Sequence, residues 1–256
     1  ALTRSWIVLQ RTASTRVVSR RSSPLFDDAF VEFDDLSDVF EVAGGGTHPL
    51  VLDRAERRRV AAVDLTTPSR PRRSAWVDFE ETGRLIADRR LGAHVNRLEG
   101  RVRLIDRSDP MAPRRAGTYE SPGALMGTSV ISDRWFAATN LDQDFRVGIE
   151  IVDVRDPDHP RRVAFIYRAT PMSIEGDRLL CGDDSGFSIV DLTDPTAPRE
   201  IFAIDLKTKP PLKGALANGL VYLVVEEATG PARLAIYDPE FRSPAPLQSQ
   251  IALASR

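Results

Sequence analysis

The chain contains a repeated motif, and a repeat restricts the possible folds more than any other feature of a sequence. The motif has two or three apolar residues, an aspartate, three residues, a proline, two residues and a second proline, usually followed by arginine. Four regular copies occur, and a stretched fifth copy begins at Asp238. The regular copies contain Asp64, Pro68 and Pro71; Asp106, Pro110 and Pro113; Asp153, Pro157 and Pro160; and Asp191, Pro195 and Pro198.

Short turn-forming triplets recur in the same phase as the motif. Each triplet follows a motif aspartate by a nearly constant distance and separates two apolar stretches, as a tight hairpin turn does. The motif aspartates are themselves roughly 42 residues apart, so two markers share one period. The triplets are Ala87-Asp88-Arg89, Ser132-Asp133-Arg134, Gly176-Asp177-Arg178 and Ala217-Asn218-Gly219.

The unit at 171–205 shows what one repeat contains. Its apolar residues alternate with polar ones, a pattern that predicts half-buried strands. We expect an inner strand at 172–176, a second at 178–182, a third at 187–192 and an outer strand at 199–205. Four strands in a repeat of this length are typical of a β-propeller blade.

Six such units are predicted. The first shows no inner strand ahead of Trp6, so seven blades are the alternative if upstream chain is missing. We therefore predict an all-β protein, a β-propeller of about six four-stranded blades in a single domain over 1–256. Third strands are expected at 15–19, 58–64, 101–106, 147–153, 187–192 and 232–238, and outer strands at 25–33, 72–79, 114–120, 161–167, 199–205 and 246–254.

Three third strands carry a resemblance to a known family. Leu104-Ile105-Asp106, Ile149-Glu150-Ile151-Val152-Asp153-Val154 and Ser188-Ile189-Val190-Asp191-Leu192, each followed by the spaced prolines, resemble LVIVD repeats. That resemblance implies a bacterial or archaeal propeller, often associated with the cell surface. It implies an extracellular or cell-envelope location and carries no catalytic residues, because the family shares no catalytic motif.

The motif itself is interpreted as structural. An aspartate side chain can accept a hydrogen bond from the backbone N–H two residues on and close an Asx turn. The two prolines stiffen a connection that no strand pairs, because proline has a fixed φ and lacks a donor. The alternative, a peptide or metal site in the motif, has no set of ligands to support it.

Acidic residues occur in the loops that a propeller places around one mouth of its channel. Charges of one sign in a cleft concentrate the field, so these residues are candidates for binding a cation or a basic partner. The alternative is that they are solvated loop residues. Calcium is a possible ligand, although no segment matches a full calcium-loop spacing; otherwise we expect no cofactor. The candidates are Asp34, Asp35, Glu80, Glu81, Asp142, Asp144, Asp183, Asp184, Glu226 and Glu227.

Arginines are expected at the opposite rim. The net charge of −2 would then be a cancellation between an acidic rim and a basic one. Few aromatic residues interleave with these arginines, so we expect no binding to nucleic acid. The arginines are Arg72, Arg73, Arg89, Arg90, Arg114, Arg115, Arg161 and Arg162.

The sequence offers little for catalysis. It has three histidines and no recognisable catalytic motif, and the lone Cys181 excludes an intramolecular disulfide and a cysteine-based zinc site. No apolar run is long enough to span a membrane. We therefore predict a non-catalytic binding or protein-interaction scaffold, monomeric, whose protein or small ligand sits at the acidic mouth. The alternative is a propeller-type hydrolase of glycosides or esters that uses carboxylates at the same mouth.

Overall fold

The computed structural model describes most of the chain. Within the described residues every regular element is a β-strand, and none forms a helix that could cross a membrane. The described residues are 6–11, 14–19, 30–33, 39–44, 47–53, 59–67, 72–79, 82–206, 213–225, 233–240 and 247–252. The predictions at Asp34, Asp35, Pro68, Pro71, Glu80, Glu81, Glu226 and Glu227 lie outside these ranges.

The chain divides into two compact units. The first comprises Ala1–Ser121 with Asp156–Pro160, and the second comprises Pro122–Arg155 with Arg161–Arg256. The described residues of each unit form three antiparallel sheets, which we number 1 to 6 along the chain. The single-domain expectation stays a prediction.

The first unit holds sheets 1 to 3, and their strands follow one another in chain order except in sheet 2, whose last two strands both pair with its third strand. Sheet 1 consists of β1 (Trp6–Arg11), β2 (Ser14–Ser19) and β3 (Phe30–Phe33). Sheet 2 consists of β4 (Val39–Ala43), β5 (Leu50–Asp53), β6 (Arg59–Asp64), β7 (Arg72–Arg73) and β8 (Val77–Asp78). Sheet 3 consists of β9 (Arg84–Ala87), β10 (Leu91–Asn96), β11 (Arg101–Asp106) and β12 (Arg114–Glu120).

The outer strand expected at 72–79 is divided into β7 and β8. Both pieces pair with β6, and the buried Ser74 lies between them. The Ser74 hydroxyl accepts the N–H of Ala62 at 2.9 Å and donates to the carbonyl of Ala75. The Ser74 hydroxyl thus takes the place of a backbone carbonyl as the acceptor for the N–H of Ala62, and this interrupts the outer strand between β7 and β8.

The second unit holds sheets 4 to 6, each of four strands in chain order. Sheet 4 consists of β13 (Ala124–Ile131), β14 (Trp135–Leu141), β15 (Val147–Asp153) and β16 (Arg161–Tyr167). Sheet 5 consists of β17 (Thr170–Glu175), β18 (Arg178–Gly182), β19 (Gly186–Asp191) and β20 (Arg199–Asp205). Sheet 6 consists of β21 (Lys213–Ala217), β22 (Leu220–Val225), β23 (Arg233–Tyr237) and β24 (Leu247–Ala252).

The middle strands of the second unit are apolar on both faces. Leu179 and Cys181 pack into one core with Trp135 of sheet 4, whereas Leu180 packs into another with Val221 of sheet 6. This alternation places a separate apolar layer on each side of sheet 5. Burial raises the pKa of the Cys181 thiol to about 12, so the cysteine is an inert core residue.

The motif aspartates close turns between the third and outer strands. In each copy the aspartate Oδ1 accepts the backbone N–H two residues further on. The bonds are Thr66 to Asp64 at 2.8 Å, Ser108 to Asp106 at 2.9 Å, Arg155 to Asp153 at 3.1 Å, Thr193 to Asp191 at 2.9 Å and Glu240 to Asp238 at 2.9 Å.

Each of the four regular aspartates also faces an arginine on the neighbouring strand. The carboxylate of Asp106 contacts Arg114 at 2.7 Å, and that of Asp153 contacts Arg161 at 3.4 Å. The cross-strand pairs are Asp64 with Arg72, Asp106 with Arg114, Asp153 with Arg161, and Asp191 with Arg199. At Asp106 and Asp153 the first arginine after the prolines therefore forms an ion pair with its own motif aspartate, which reduces the basic rim expected from the sequence.

Candidate functional site

A cleft of about 950 Å³ opens in the second unit where three connections meet. The first is the β14–β15 loop, the second links β16 to β17, and the third is the β18–β19 turn. Two of these connections join a second strand to a third strand, and one joins an outer strand to the inner strand of the next sheet. The lining residues are Arg146, Val147, Tyr167, Arg168, Ala169, Thr170, Met172, Gly182, Asp183 and Asp184.

A smaller hollow of about 300 Å³ adjoins the cleft. The two share the side chains of Arg146 and Tyr167, so that this pair forms the partition between them. The lining of the hollow is more polar than that of the cleft. It consists of Pro122, Gly123, Asn140, Asp142, Gln143, Asp144, Arg146, Arg162 and Tyr167.

The predicted acidic pair Asp142 and Asp144 is neutralised by an arginine of the same loop. Asp142 accepts the Nε–H of Arg146 at 3.1 Å, and Asp144 accepts its Nη2–H at 2.6 Å. Asp142 also accepts the backbone N–H groups of Asp144 at 2.9 Å and Arg146 at 2.8 Å. The backbone N–H and then the guanidinium of Arg146 lower the pKa of Asp142. Both carboxylates therefore hold the loop closed.

Arginines and aromatic rings alternate along the partition. The guanidinium of Arg146 lies 4.6 Å from the ring centre of Tyr167, and that ring meets Phe165 edge-on at 4.9 Å. The guanidinium of Arg162 lies 5.4 Å from the ring of Phe165. Each stacked cation stabilises its neighbour by about 0.5–1 kcal/mol at an exposed site. These stacked side chains form the partition, and the Tyr167 side chain is half exposed there.

The buried carboxylate of Glu150 contacts one of the arginines of this stack. Glu150 of β15 is 0% exposed, and it contacts Arg162 Nε at 3.2 Å and accepts from Asn140 Nδ2 at 2.7 Å. A buried charge persists only when it is paired and hydrogen-bonded. Glu150 therefore fixes the positions of Arg162 and Asn140 in the smaller hollow.

Two residues next to the cleft adopt backbone conformations that favour glycine. Phe145 has φ 58° and an 82% exposed side chain, and Arg168 has φ 59°. The N–H of Arg168 donates to the carbonyl of Val147 at 3.0 Å, and that of Phe145 donates to the carbonyl of Asp142 at 3.0 Å. Non-glycine residues at positive φ are uncommon and gather at functional sites.

The acidic residues Asp183 and Asp184 differ in their hydrogen bonding. Asp183 Oδ1 accepts the hydroxyl and N–H of Ser185, both at 2.7 Å, and the N–H of Gly186. The Ser185 hydroxyl is the main reason that the pKa of Asp183 is lowered. Asp184 is exposed and, among the described residues, contacts no cation.

Four of the ten predicted acidic residues can be placed, and all four lie on one side of the second unit. Asp142 and Asp144 line the hollow, and Asp183 and Asp184 line the cleft. No group of three metal-ligating side chains occurs in the described part of the chain. The sequence did not single out Arg146, Tyr167, Arg168 or Met172, although the spacing of Arg146 from Asp142 and Asp144 was visible.

No protein-family model and no curated protein matches the sequence. Solved structures resemble it in fold. The chain is similar to apo AztD from Citrobacter koseri at 14% identity and a TM-score of 0.63, covering 99% of this chain and 71% of that one. A protein from Lactobacillus plantarum shows 12% identity and a TM-score of 0.61, covering 98% and 83%. Sqt1 from Chaetomium thermophilum shows 13% identity and a TM-score of 0.59, covering 96% and 67%.

These neighbours are β-propellers, and the present chain has the sheets that such a fold requires. The prediction of an all-β propeller with about six blades is confirmed. At this level of identity the similarity establishes the fold alone. The more specific likeness to LVIVD repeats stays a resemblance.

Proposed function

We propose that this protein is a non-catalytic binding module and that its ligand occupies the cleft of the second unit. The observation that carries the proposal is that three connections meet around the cleft, which has a volume of about 950 Å³. Ligand pockets in proteins are usually about 300–1,000 Å³, with apolar walls and a few oriented polar groups. Val147, Tyr167 and Met172 supply apolar surface here, and Arg168 and Asp184 supply charge.

The hydrolase alternative has less support. A general acid of a glycosidase needs a carboxyl with a raised pKa. At Asp142 and Asp183 the pKa is lowered instead, by the N–H of Arg146 and the hydroxyl of Ser185 respectively. Both groups stay ionised near neutral pH and hold their own loops.

A thermal-shift screen with a matched pair of variants tests the proposal. Val147 is 46% exposed and lines the cleft, so Val147→Trp fills the cleft without disturbing the core. Ile201 of β20 is 42% exposed and is not part of the cleft lining, so Ile201→Trp is the control. The probes are a panel of amino acids, di- and tripeptides, mono- and disaccharides, and nucleosides at millimolar concentration.

We expect at least one probe to raise the melting temperature of the wild type and of Ile201→Trp but not that of Val147→Trp. Equal shifts in both variants would place the site elsewhere. The absence of any shift across the panel would overturn the proposal of a small-ligand site.

We further propose that the ligand binds without a resident metal, because Arg146 already occupies oxygens of Asp142 and Asp144. A melting temperature unchanged by millimolar calcium is expected, and a calcium-dependent rise would refute this part. An envelope location, proposed from the LVIVD resemblance alone, is testable by fractionating cells that express the full-length protein.

A further inference from the structure

We infer that the ligand is zwitterionic, with a carboxylate and an ammonium group separated by apolar atoms, as in a short peptide with free ends. The inference rests on the proposed function, since it specifies the chemistry of a ligand for the same cleft. It follows from two charged side chains in the cleft lining, Arg168 and Asp184, which form no ion pair or side-chain hydrogen bond within the part of the chain that the structure describes.

Arg168 lies at the edge of the cleft. Its backbone is held at φ 59° by the bond from its N–H to the Val147 carbonyl, so the residue has a defined place at the cleft edge. Its side chain is exposed and, among the described residues, forms no ion pair or hydrogen bond. Arg146, in contrast, donates hydrogen bonds to the carboxylates of Asp142 and Asp144. Arg168 is therefore the guanidinium in this cleft that is available for a carboxylate, which it can hold through two parallel bonds.

Asp184 supplies a carboxylate to the lining of the same cleft. The neighbouring Asp183 uses Oδ1 to close its own turn, whereas Asp184 has no such bond within the described residues. An ionised carboxylate accepts hydrogen bonds and donates none, so a group of complementary chemistry carries a cationic donor. A ligand with an ammonium group meets that requirement.

The two charges together exclude simpler ligands. An anion at Arg168 would lie in a cleft that also holds Asp183 and Asp184, and like charges repel. A cation at Asp184 would share the cleft with the guanidinium of Arg168. A zwitterion offers a charge of opposite sign to both Arg168 and Asp184 and adds no net charge to the site.

Apolar side chains complete the specificity. The cleft lining includes Val147, Tyr167 and Met172. The methyl group of Met172 packs against Gly182, and a Cβ atom on residue 182 would lie 2.5 Å from that methyl group. A thioether side chain adapts its shape to irregular apolar groups. The part of the ligand between its charged ends is therefore expected to be apolar.

Trileucine is a suitable probe, used in four forms: free at both ends, N-acetylated, C-amidated, and capped at both ends. Isothermal titration of the full chain should show binding of the free form and a loss of about tenfold in affinity for each cap. Arg168→Gln should bind the free acid and the amide equally. Asp184→Asn should bind the free amine and the acetylated form equally. The control Arg161→Gln, on an exposed arginine outside the cleft lining, should keep both discriminations.

The outcomes separate this inference from the function on which it rests. If all four forms bind equally and Val147→Trp abolishes binding, the cleft is a site but the zwitterion inference is wrong. If trileucine fails to bind while a sugar or nucleoside of the panel does, the inference is also wrong. If nothing in the panel binds, the proposed function itself fails.

Discussion

The indole Nε1–H of Trp135 in sheet 4 donates to Asp177 Oδ1, across to the hairpin turn of sheet 5, at 2.8 Å. The same carboxylate accepts from Arg134 through its other oxygen at 2.5 Å. A similar contact joins the next pair of sheets, where Glu175 accepts the N–H groups of Asn218 and Gly219. The turn-forming triplets thus receive or donate the bonds that connect adjacent blades of the second unit.

Asp177→Ala should therefore destabilise the fold by about 2 kcal/mol, because the indole N–H of the buried Trp135 loses its acceptor. Asp177→Asn keeps an acceptor and loses only the exposed ion pair with Arg134, which is worth about 0–1 kcal/mol. Urea unfolding followed by tryptophan fluorescence measures both. Equal effects of the two variants would show that the charge, and not the indole bond, is what matters.

Phe145→Gly should stabilise the protein. A left-handed conformation costs a non-glycine residue about 1–2 kcal/mol, and the 82% exposed ring gives little packing in return. The greater freedom of glycine in the unfolded chain offsets part of the gain, so a net of about 0.5–1 kcal/mol is expected. Phe145→Ala retains a Cβ and serves as the control without this gain. A lower melting temperature for Phe145→Gly would mean that the ring makes stabilising contacts.

The stability contributed by Asp191 should depend on pH. Its pKa is lowered from 3.8, chiefly by the Thr193 hydroxyl and then by the Thr193 N–H. A carboxyl with a depressed folded-state pKa adds stability that is present above the unfolded value and is lost as the pH falls through the folded value. Asp191→Asn should therefore show a flatter stability profile below pH 3.8 than the wild type, measured by urea titration at a series of pH values.

Thr193→Val provides the matched comparison for Asp191, because it removes the hydroxyl and keeps the charge. Its profile should lie between those of the wild type and Asp191→Asn. An identical acid dependence in all three proteins would show that this turn does not contribute to acid unfolding.

Arg162→Leu should destabilise the fold by about 3 kcal/mol, because it removes the guanidinium that contacts the buried carboxylate of Glu150. Glu150→Leu with Arg162→Leu should be less damaging than the sum of the single variants, since no buried charge is then left unpaired. A double-mutant cycle measured by urea unfolding checks this. Additive effects would show that the two side chains do not interact.

The sequence predicted the regular parts of the fold well because they follow from local patterns. The alternation around Leu179 and Ile189 and the spaced prolines placed β17 to β20 to within about two residues. The division of the outer strand at Ser74 was missed, because it depends on a side-chain bond to Ala62 across the sheet. No periodicity reports such a bond.

The site was predicted less completely. Acidic loop residues were recognised, but their charge was treated in isolation, whereas Arg146 neutralises Asp142 and Asp144. Tyr167 and Arg168 come at the end of an outer strand, and the shape of the connection to β17 brings them to the cleft. The cross-strand partners of the motif aspartates were readable, since in every regular copy an arginine stands at the same spacing after the aspartate.

That constant pairing has a consequence for the repeat architecture. Asp106 and Arg114 belong to one sheet, as do Asp153 and Arg161, so in sheets 3 and 4 the motif aspartate and its counter-ion lie in the same blade. Arginine suits this arrangement because it stays protonated at any physiological pH. In these two sheets the aspartate that closes the turn and the arginine that faces it therefore belong to the same repeat, and their pairing does not depend on how many repeats the chain contains.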